Sequence, residues 1–389
     1  MKTNNNIPAY RFQGYTDAWE LRKLGEVAEI VMGQSPDSKN YTDNPLDNIL
    51  VQGNADLRDG FVVPRVWTTQ VTKTAEKGDL ILSVRAPVGD VGRTNYNVVL
   101  GRGVAGIKGN EFIYHLLVKM KLFGYWTKLS TGSTFESINS DDIKNSIILF
   151  PTLPEQEAIG TFFSTLDRHI TLHQRKLDTL KEQKKTYLKL LFPVKGQTKP
   201  ALRFQGFEDD WEEVRLGEVL VEYNKKSEIE NQFELLSSTN SGIEPRSGRV
   251  SGESNIGYKI IKRGMVVLSP QNLWLGNINY NAKYEIGIVS PSYKVFNIYG
   301  PNELFLATVL RLPQMFFEYA QASVQGASIV RRNLDLDLFG SILVQLPSLP
   351  EQEAIGTFFQ TLDQEIAQVE DKLASLKEMK KTLLRKLFV

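Results

Sequence analysis

L-P-E-Q-E-A-I-G-T-F-F-S-T-L-D, residues Leu153–Asp167, returns as L-P-E-Q-E-A-I-G-T-F-F-Q-T-L-D at Leu349–Asp363, with only Ser164 against Gln360 different. So close a match at an offset of 196 residues marks an internal duplication. Each copy opens a helix. Pro154 and Pro350 fall in the first turn, where the missing N–H costs nothing, and Thr152-x-x-Glu155 and Ser348-x-x-Glu351 read as capping boxes. No Pro or Gly follows Gly160 until Pro193, and none follows Gly356 to Val389. Alternating steps of four and three pick out Ile159, Phe163, Leu166, Ile170, His173, Leu177, Leu180, Lys184, Tyr187 and Leu191. The second copy gives Ile355, Phe359, Leu362, Ile366, Val369, Leu373, Leu376, Lys380, Leu383 and Leu387. This is a coiled-coil seam. At 1.5 Å per residue each helix spans roughly 58 Å. Two such helices in one chain are expected to pair antiparallel about a pseudo-two-fold axis, because a compact domain separates them. Lys184 and Lys380 read as side chains snorkelling near an exposed end, with a register device or a contact to a partner as the alternative. His173 has an apolar counterpart, Val369, and is not read as a metal ligand.

A second repeat precedes each helix. P-A-Y-R-F-Q-G-Y-T-D-A-W-E-L-R-K-L-G-E-V at Pro8–Val27 returns as P-A-L-R-F-Q-G-F-E-D-D-W-E-E-V-R-L-G-E-V at Pro200–Val219. The stretches between the repeated blocks, 28–152 and 220–348, barely resemble each other. The chain therefore divides into a first domain over 1–152, a helix and linker over 153–198, a second domain over 199–347 and a final helix over 348–389. Both interiors mix short β-rich runs with helix patterns. Asp79–Val84, Val98–Leu100, Met265–Ser269 and Tyr293–Ile298 read as strands; Glu111–Trp126 and Asn302–Ala320 read as amphipathic helices. The fold class is α+β.

With 389 residues, 41% of them hydrophobic, the chain can bury cores for two domains. A net charge of +1 excludes a grip on polyanions through bulk charge but not through local patches. There is no cysteine, so disulfides and thiolate metal sites are excluded, and three histidines are too few for a histidine-rich centre. This composition fits a reducing cytoplasm. No signal-peptide core or membrane-spanning run occurs. Nor is there a Pro-Pro dipeptide of a DNA methyltransferase motif, a phosphate loop, or a G-x-S-x-G nucleophile elbow. Gly101–Gly109 is glycine-rich without dinucleotide spacing and reads as a turn-rich strand connection.

Local charge is more informative. Residues 60–130 hold ten basic side chains against four acidic ones, and 246–263 hold five against one. Polar turn segments lie nearby at Gly33–Tyr41, Ser130–Asn139, Ser269–Asn277 and Ser323–Asn333. Such clusters suit phosphate neutralisation and contact with base edges, or else an ordinary solvated surface.

The blocks Trp19–Val27, Trp211–Val219, Leu153–Ile159 and Leu349–Ile355, with G-Q-S-P at Gly33–Pro36 and S-V-R-A-P-V-G-D-V-G at Ser83–Gly92, resemble the specificity (S) subunits of type I restriction–modification enzymes. The second domain departs from the pattern, with S-P-Q-N-L-W-L-G at Ser269–Gly276. The resemblance implies a non-catalytic, cytoplasmic prokaryotic subunit with two target-recognition domains, each reading one half of a split, asymmetric site in double-stranded DNA. It implies that the helices space the domains and dock two modification (methyltransferase) subunits, with restriction subunits joining the full complex. S-adenosylmethionine, ATP and Mg would belong to those partners, leaving this chain without a cofactor. The residues expected at DNA are Lys39, Arg65, Arg85, Arg93, Arg102, Ser133 and Thr134 in the first domain. In the second they are Arg246, Arg249, Lys262, Arg263, Gln271, Asn272, Gln325, Ser328, Arg331 and Arg332. A self-sufficient nuclease or methyltransferase, and a stand-alone DNA-binding regulator or coiled-coil adaptor, are the rival readings.

Overall fold

The computed structural model describes residues 6–129, 137–246, 254–328 and 331–389, with backbone alone for 324–328 and 331–332. The chain forms two compact units. One comprises 1–175 with 371–389, the other 176–370, so each long helix contributes residues to both.

In the first unit a six-stranded sheet runs Glu29–Met32, Val104–Lys108, Leu80–Ser83, Val91–Arg93, Phe61–Val62, Leu57–Arg58. A five-stranded sheet runs Tyr41–Thr42, Val66–Thr68, Asn48–Val51, Val98–Leu100, Lys73–Ala75. The run Leu80-Ile81-Leu82 is apolar throughout because both of its faces are covered: Ile81 packs with Val51, Leu100 and Val104, while Leu80 and Leu82 pack with Phe112 and Leu117. The first predicted helix spans Glu111–Leu122, with the Asn110 side chain accepting from the Ile113 N–H at its N-terminus. Gly124 ends it at φ +72°, and a separate turn of helix follows at Tyr125–Leu129.

The second unit carries a four-stranded sheet in the order Leu220–Glu222, Lys294–Ile298, Val266–Leu268, Ile278–Tyr280, and a paired Lys259–Lys262 and Ile286–Val289. The single helix expected over Asn302–Ala320 is two, Glu303–Val309 and Pro313–Gln321. Pro313 has no N–H to continue the first, and its fixed φ starts the second instead. The interiors also share more than their sequences suggest. Lys73–Ala75 and Leu80–Ser83 in the first unit match Lys259–Lys262 and Val266–Leu268 in the second, each pair leading to a helix capped by an asparagine, Asn110 or Asn302.

The repeated blocks form the same frame in each unit. Arg11 makes a two-pronged pair with Glu155, both bonds at 2.7 Å, and Trp19 Nε1 donates to the same carboxylate at 3.1 Å. Arg203 pairs with Glu351 identically, at 2.7 Å. Both glutamates are fully buried. The capping-box reading is thus corrected: Glu155 and Glu351 turn inward to an arginine of the upstream repeat rather than back to their own helix ends. Gln156 bonds the Asn110 side chain, and Gln352 accepts from the Asn302 N–H, tying each long helix to the domain helix of its own unit. Gly160 and Gly356 allow that approach, since a Cβ there would stand 2.7 Å from Glu111 Cβ or from the Phe305 nitrogen.

Within each unit the start of one long helix lies antiparallel to the end of the other. In the first, Phe163 meets Phe388 (ring centroids 5.8 Å), Asp167 meets Lys380 (2.5 Å) and Gln174 meets Lys377 (3.3 Å). In the second, Phe359 meets Phe192 (5.9 Å), Asp363 meets Lys184 (2.5 Å) and Glu365 meets Lys176 (2.7 Å). Seam residues Ile159, Phe163, Leu166, Leu177, Leu180, Ile355, Phe359, Leu362, Leu373 and Leu376 are buried, with Ile170 and Ile366 half-buried. The seam lysines do not snorkel free. Each reaches the equivalent aspartate of the opposite helix, Asp363 for Lys184 and Asp167 for Lys380, and such a pair fixes register more than it adds stability, at about 1 kcal/mol or less.

His115 sits in the first core with no exposure and neither ring nitrogen hydrogen-bonded. Burial, followed by the positive charges of Lys380 and Arg93, pushes its pKa down to about 2, although Glu111 and Asp167 lie 3.7 and 3.9 Å away. The folded state therefore holds the ring neutral where the unfolded chain takes up a proton, so stability is full above the unfolded value near 6.5 and falls below it. Between pH 6.5 and pH 5 the loss should be about 2 kcal/mol. Urea unfolding at the two pH values, with His115→Leu as comparison, checks this: the variant should show the shallower acid-side loss.

Candidate nucleic-acid interface

Four strands of the first unit end on loops that are sewn together. Gln34 N–H donates to Leu100 O (2.8 Å), Gly101 N–H to Val51 O (2.8 Å) and Val84 N–H to Gly103 O (2.9 Å). Ser35 Oγ accepts from the Arg102 N–H (3.1 Å), and Thr72 Oγ1 donates to Gln34 O (2.6 Å). The contact is close enough to require glycine. A Cβ on Gly33 would stand 2.1 Å from Gly101 O, and one on Gly103 would stand 2.0 Å from Gln52 O. With the backbone groups spent on one another, the side chains of Gln34, Gln52, Arg85 and Arg102 are left exposed on one edge. Neither Arg85 nor Arg102 has an ion-pair partner among the described residues. Two exposed guanidiniums beside two exposed amides have the donors and acceptors that read a major groove.

Lys39 and Arg65 flank this edge. Lys39 lies on a turn bound through Asn40 to Gln70 and pairs with Asp37 at 3.3 Å, and Arg65 bonds Ala55 O at 3.1 Å beside Asp56. Arg93 is placed elsewhere. It faces Leu80 at the start of the strand whose far end leads to Arg85, its guanidinium is paired with Glu111, and it lies 3.4 Å from the Tyr114 ring centroid. That environment gives it work inside the unit. Ser133 and Thr134 lie outside the described residues.

In the second unit Gln271 and Asn272 follow the strand Val266–Leu268, equivalent in position to Arg85. Nearby, Asn277 and Asn279 bond Ser238 and Thr239, and Tyr293 OH bonds Ser238 O. Arg311 ties Asn279 to Asn240 O. This buried amide cluster holds the loop Thr239–Gly242. Lys262 ends the preceding strand, Lys259–Lys262, and Arg263 follows it in the turn to Val266–Leu268, paired with Glu285 at 2.7 Å. Arg246 is half-buried after the strand Ile243–Pro245. Arg249 lies outside the described residues, as do the side chains of Gln325, Ser328, Arg331 and Arg332, although Gln325–Arg332 and Ser328–Arg331 are backbone partners on a hairpin. Gln34 lay within the polar turn segment Gly33–Tyr41 without being named, and Gln52 and Arg311 were not singled out by sequence.

Residues 16–182 match the family model described as the type I restriction modification DNA specificity domain. Over that stretch the chain is similar to the specificity (S) subunits of type I restriction–modification systems. It is 31% identical over 191 residues to the Methanocaldococcus jannaschii chain named for the MjaX type I restriction enzyme specificity subunit, covering 46% of this chain and 44% of that one. It is 22% identical to the MjaVIII specificity subunit of the same organism across 94% of this chain and 91% of that one. The match to the first of these spans less than half of the relative's length. The fold is similar to the crystal structure of a type I restriction–modification system S subunit from M. genitalium, with a TM-score of 0.66 at 18% identity, covering 98% and 99% of the two chains. Among the described residues, no helix is long and apolar enough to cross a membrane.

Proposed function

We propose that this chain is the DNA-reading subunit of a type I restriction–modification complex, without chemistry of its own. Each unit reads one half of a split double-stranded target, and the long helices dock two modification subunits, through which restriction subunits join. The observation that carries this reading is the edge of Gln34, Gln52, Arg85 and Arg102 on one copy of the repeated frame, with a differently furnished edge of Gln271 and Asn272 on the other. Unlike edges on like frames make the two half-sites different, so the target is asymmetric. Lysines and arginines hold phosphates, while loop side chains meet base edges. The methyl donor, ATP and Mg reside on the partner subunits, which work on DNA in the cytoplasm of a prokaryotic cell.

Co-expression with a methyltransferase encoded beside this chain, followed by mapping of methylated adenines, tests the reading. A bipartite, asymmetric motif is expected. Methylation or cutting by the purified chain alone, or methylation without sequence preference, would overturn it. Helix length should also set the gap between half-sites. Four residues inserted after Leu177 add about 6 Å of helix, near two base-pair steps of about 3.4 Å. The mapped spacer should lengthen while both half-sites stay the same.

A further inference from the structure

The corner of the second unit beside Gln271 and Asn272 is crowded with lysine. Strand ends meet there. Leu268 faces Lys294, and Tyr223, one residue beyond Glu222, donates its N–H to Val295 O at 2.8 Å. The chain then runs through Lys225 and Lys226. Their backbone is tied to the strand Lys259–Lys262 by a bridge between Lys226 and Lys259 and by the Ile260 N–H, which donates to Lys225 O at 2.9 Å. Four lysines thus share a corner with one carboxylate. Glu222 meets Lys294 at 2.8 Å and Lys259 at 3.9 Å, so its charge is divided between two cations. Lys225 and Lys226 are exposed and have no ion-pair partner among the described residues. Lys259 is only 6% exposed. Burial, then the charge of Lys294, pulls its pKa below the ordinary lysine value; Glu222 opposes this and Lys226 adds to it. The corner is short of negative charge.

The first unit has no such corner. Counted from the repeated valines Val27 and Val219, Lys225 and Lys226 stand where it has Gly33 and Gln34. Lys294, opposite Leu268, stands where Ala105 lies opposite Leu82. Only Lys73, which starts the strand matching Lys259–Lys262, keeps the charge. Gathered cations repel one another, and Lys259 must also be stripped of water, so the arrangement disfavours the isolated fold. It suits an anion brought from outside, and duplex DNA carries a dense row of phosphates. We infer that Lys225, Lys226 and Lys294 clamp a stretch of DNA backbone phosphate in the second unit, beside the loop that holds Gln271 and Asn272. Glu222 is the internal counter-charge that holds Lys294 and Lys259 in place until the phosphate arrives. The two units then differ in how they grip DNA as well as in the bases they meet. This deepens the reading of the chain as a DNA-reading subunit, and rests on it.

The test is a salt titration of binding to the mapped target, with the full chain co-expressed with the neighbouring methyltransferase. Each phosphate neutralised contributes about 0.9 to the slope of log affinity against log salt. Lys225→Ala with Lys226→Ala should make that slope shallower by about 2. The loss of affinity should be the same whether the second half-site is intact or scrambled. Glu222→Gln, which frees Lys294, should tighten binding and steepen the slope. Lys283→Ala, in the turn beyond the far end of the strand Ile278–Tyr280, should change neither. Thermal unfolding of the double lysine variant should match the parent, since both side chains are exposed. If the parent complex does not bind DNA, the functional reading fails and the clamp with it. If the parent binds and reads both halves, but the double variant keeps its slope or Lys283→Ala lowers it as much, the clamp alone is wrong. A loss seen only with the intact second half would make these lysines base readers and overturn the phosphate assignment. So would altered binding of inorganic phosphate with the DNA slope intact, which would mark a site for free anions.

Discussion

Arg11→Ala lowers the stability of the first unit by about 3–5 kcal/mol. The reason lies in what stays behind. Glu155 is 1% exposed and receives two bonds from Arg11 and one from Trp19. Without the guanidinium its charge is buried and mostly unpaired. Removing both partners is a different experiment: Arg11→Met with Glu155→Met leaves no orphan charge and should recover most of the loss. Arg203→Ala should cost the second unit a similar amount, because Glu351 is held in the same way at zero exposure. Denaturant unfolding followed by hydrogen exchange, which assigns the loss to one unit, reads the result. A double variant no more stable than Arg11→Ala would mean that the pair does more than neutralise a buried charge.

Gly103→Ala should leave the chain folded and abolish reading of one half-site. Its Cβ would stand 2.0 Å from Gln52 O, where real contacts are never so short, so the Gly101–Gly103 turn and the Gln52 loop must part. Arg102 and Gln52 then lose their common placement. If each makes one good base contact, at about 1–3 kcal/mol apiece, discrimination at the first half-site falls by roughly 30-fold or more. Contacts to phosphate and the second half-site are untouched. Binding to the mapped target, against targets with either half scrambled, should show the variant indifferent to the first half and still sensitive to the second. Unchanged preference for both halves would remove this edge from the reading surface.

The duplicated frame was legible because helix-forming blocks repeat nearly letter for letter, and a heptad seam can be counted from sequence. The strands were legible as short apolar runs: Val98–Leu100 falls as expected, and Leu80–Ser83, Val266–Leu268 and Lys294–Ile298 fall within a residue of the expected bounds. What sequence could not show is where long-range polar partners lie. Glu155 has the spacing of a capping residue, but a half-buried arginine 144 positions away bonds both of its oxygens. Lys380 likewise takes its meaning from Asp167, in the other helix. The exposed edge at the four strand ends was half visible. Arg85 and Arg102 were singled out by charge, whereas Gln34 and Gln52 join them only because loops from four strands converge. Arg93 carried the same charge signal but is used internally.

The makeup of the first unit has a consequence for synthesis. Its core includes Leu376, Leu384, Leu387 and Phe388, whereas the second unit draws on nothing beyond Glu370. On the ribosome, the half translated first is therefore the half completed last. The nascent first domain must wait, with Phe163 and Trp19 short of their aromatic neighbour Phe388, while nearly 200 further residues emerge. A chain arrested in the final helix would hold one finished unit and one open core, a natural target for chaperones and proteases.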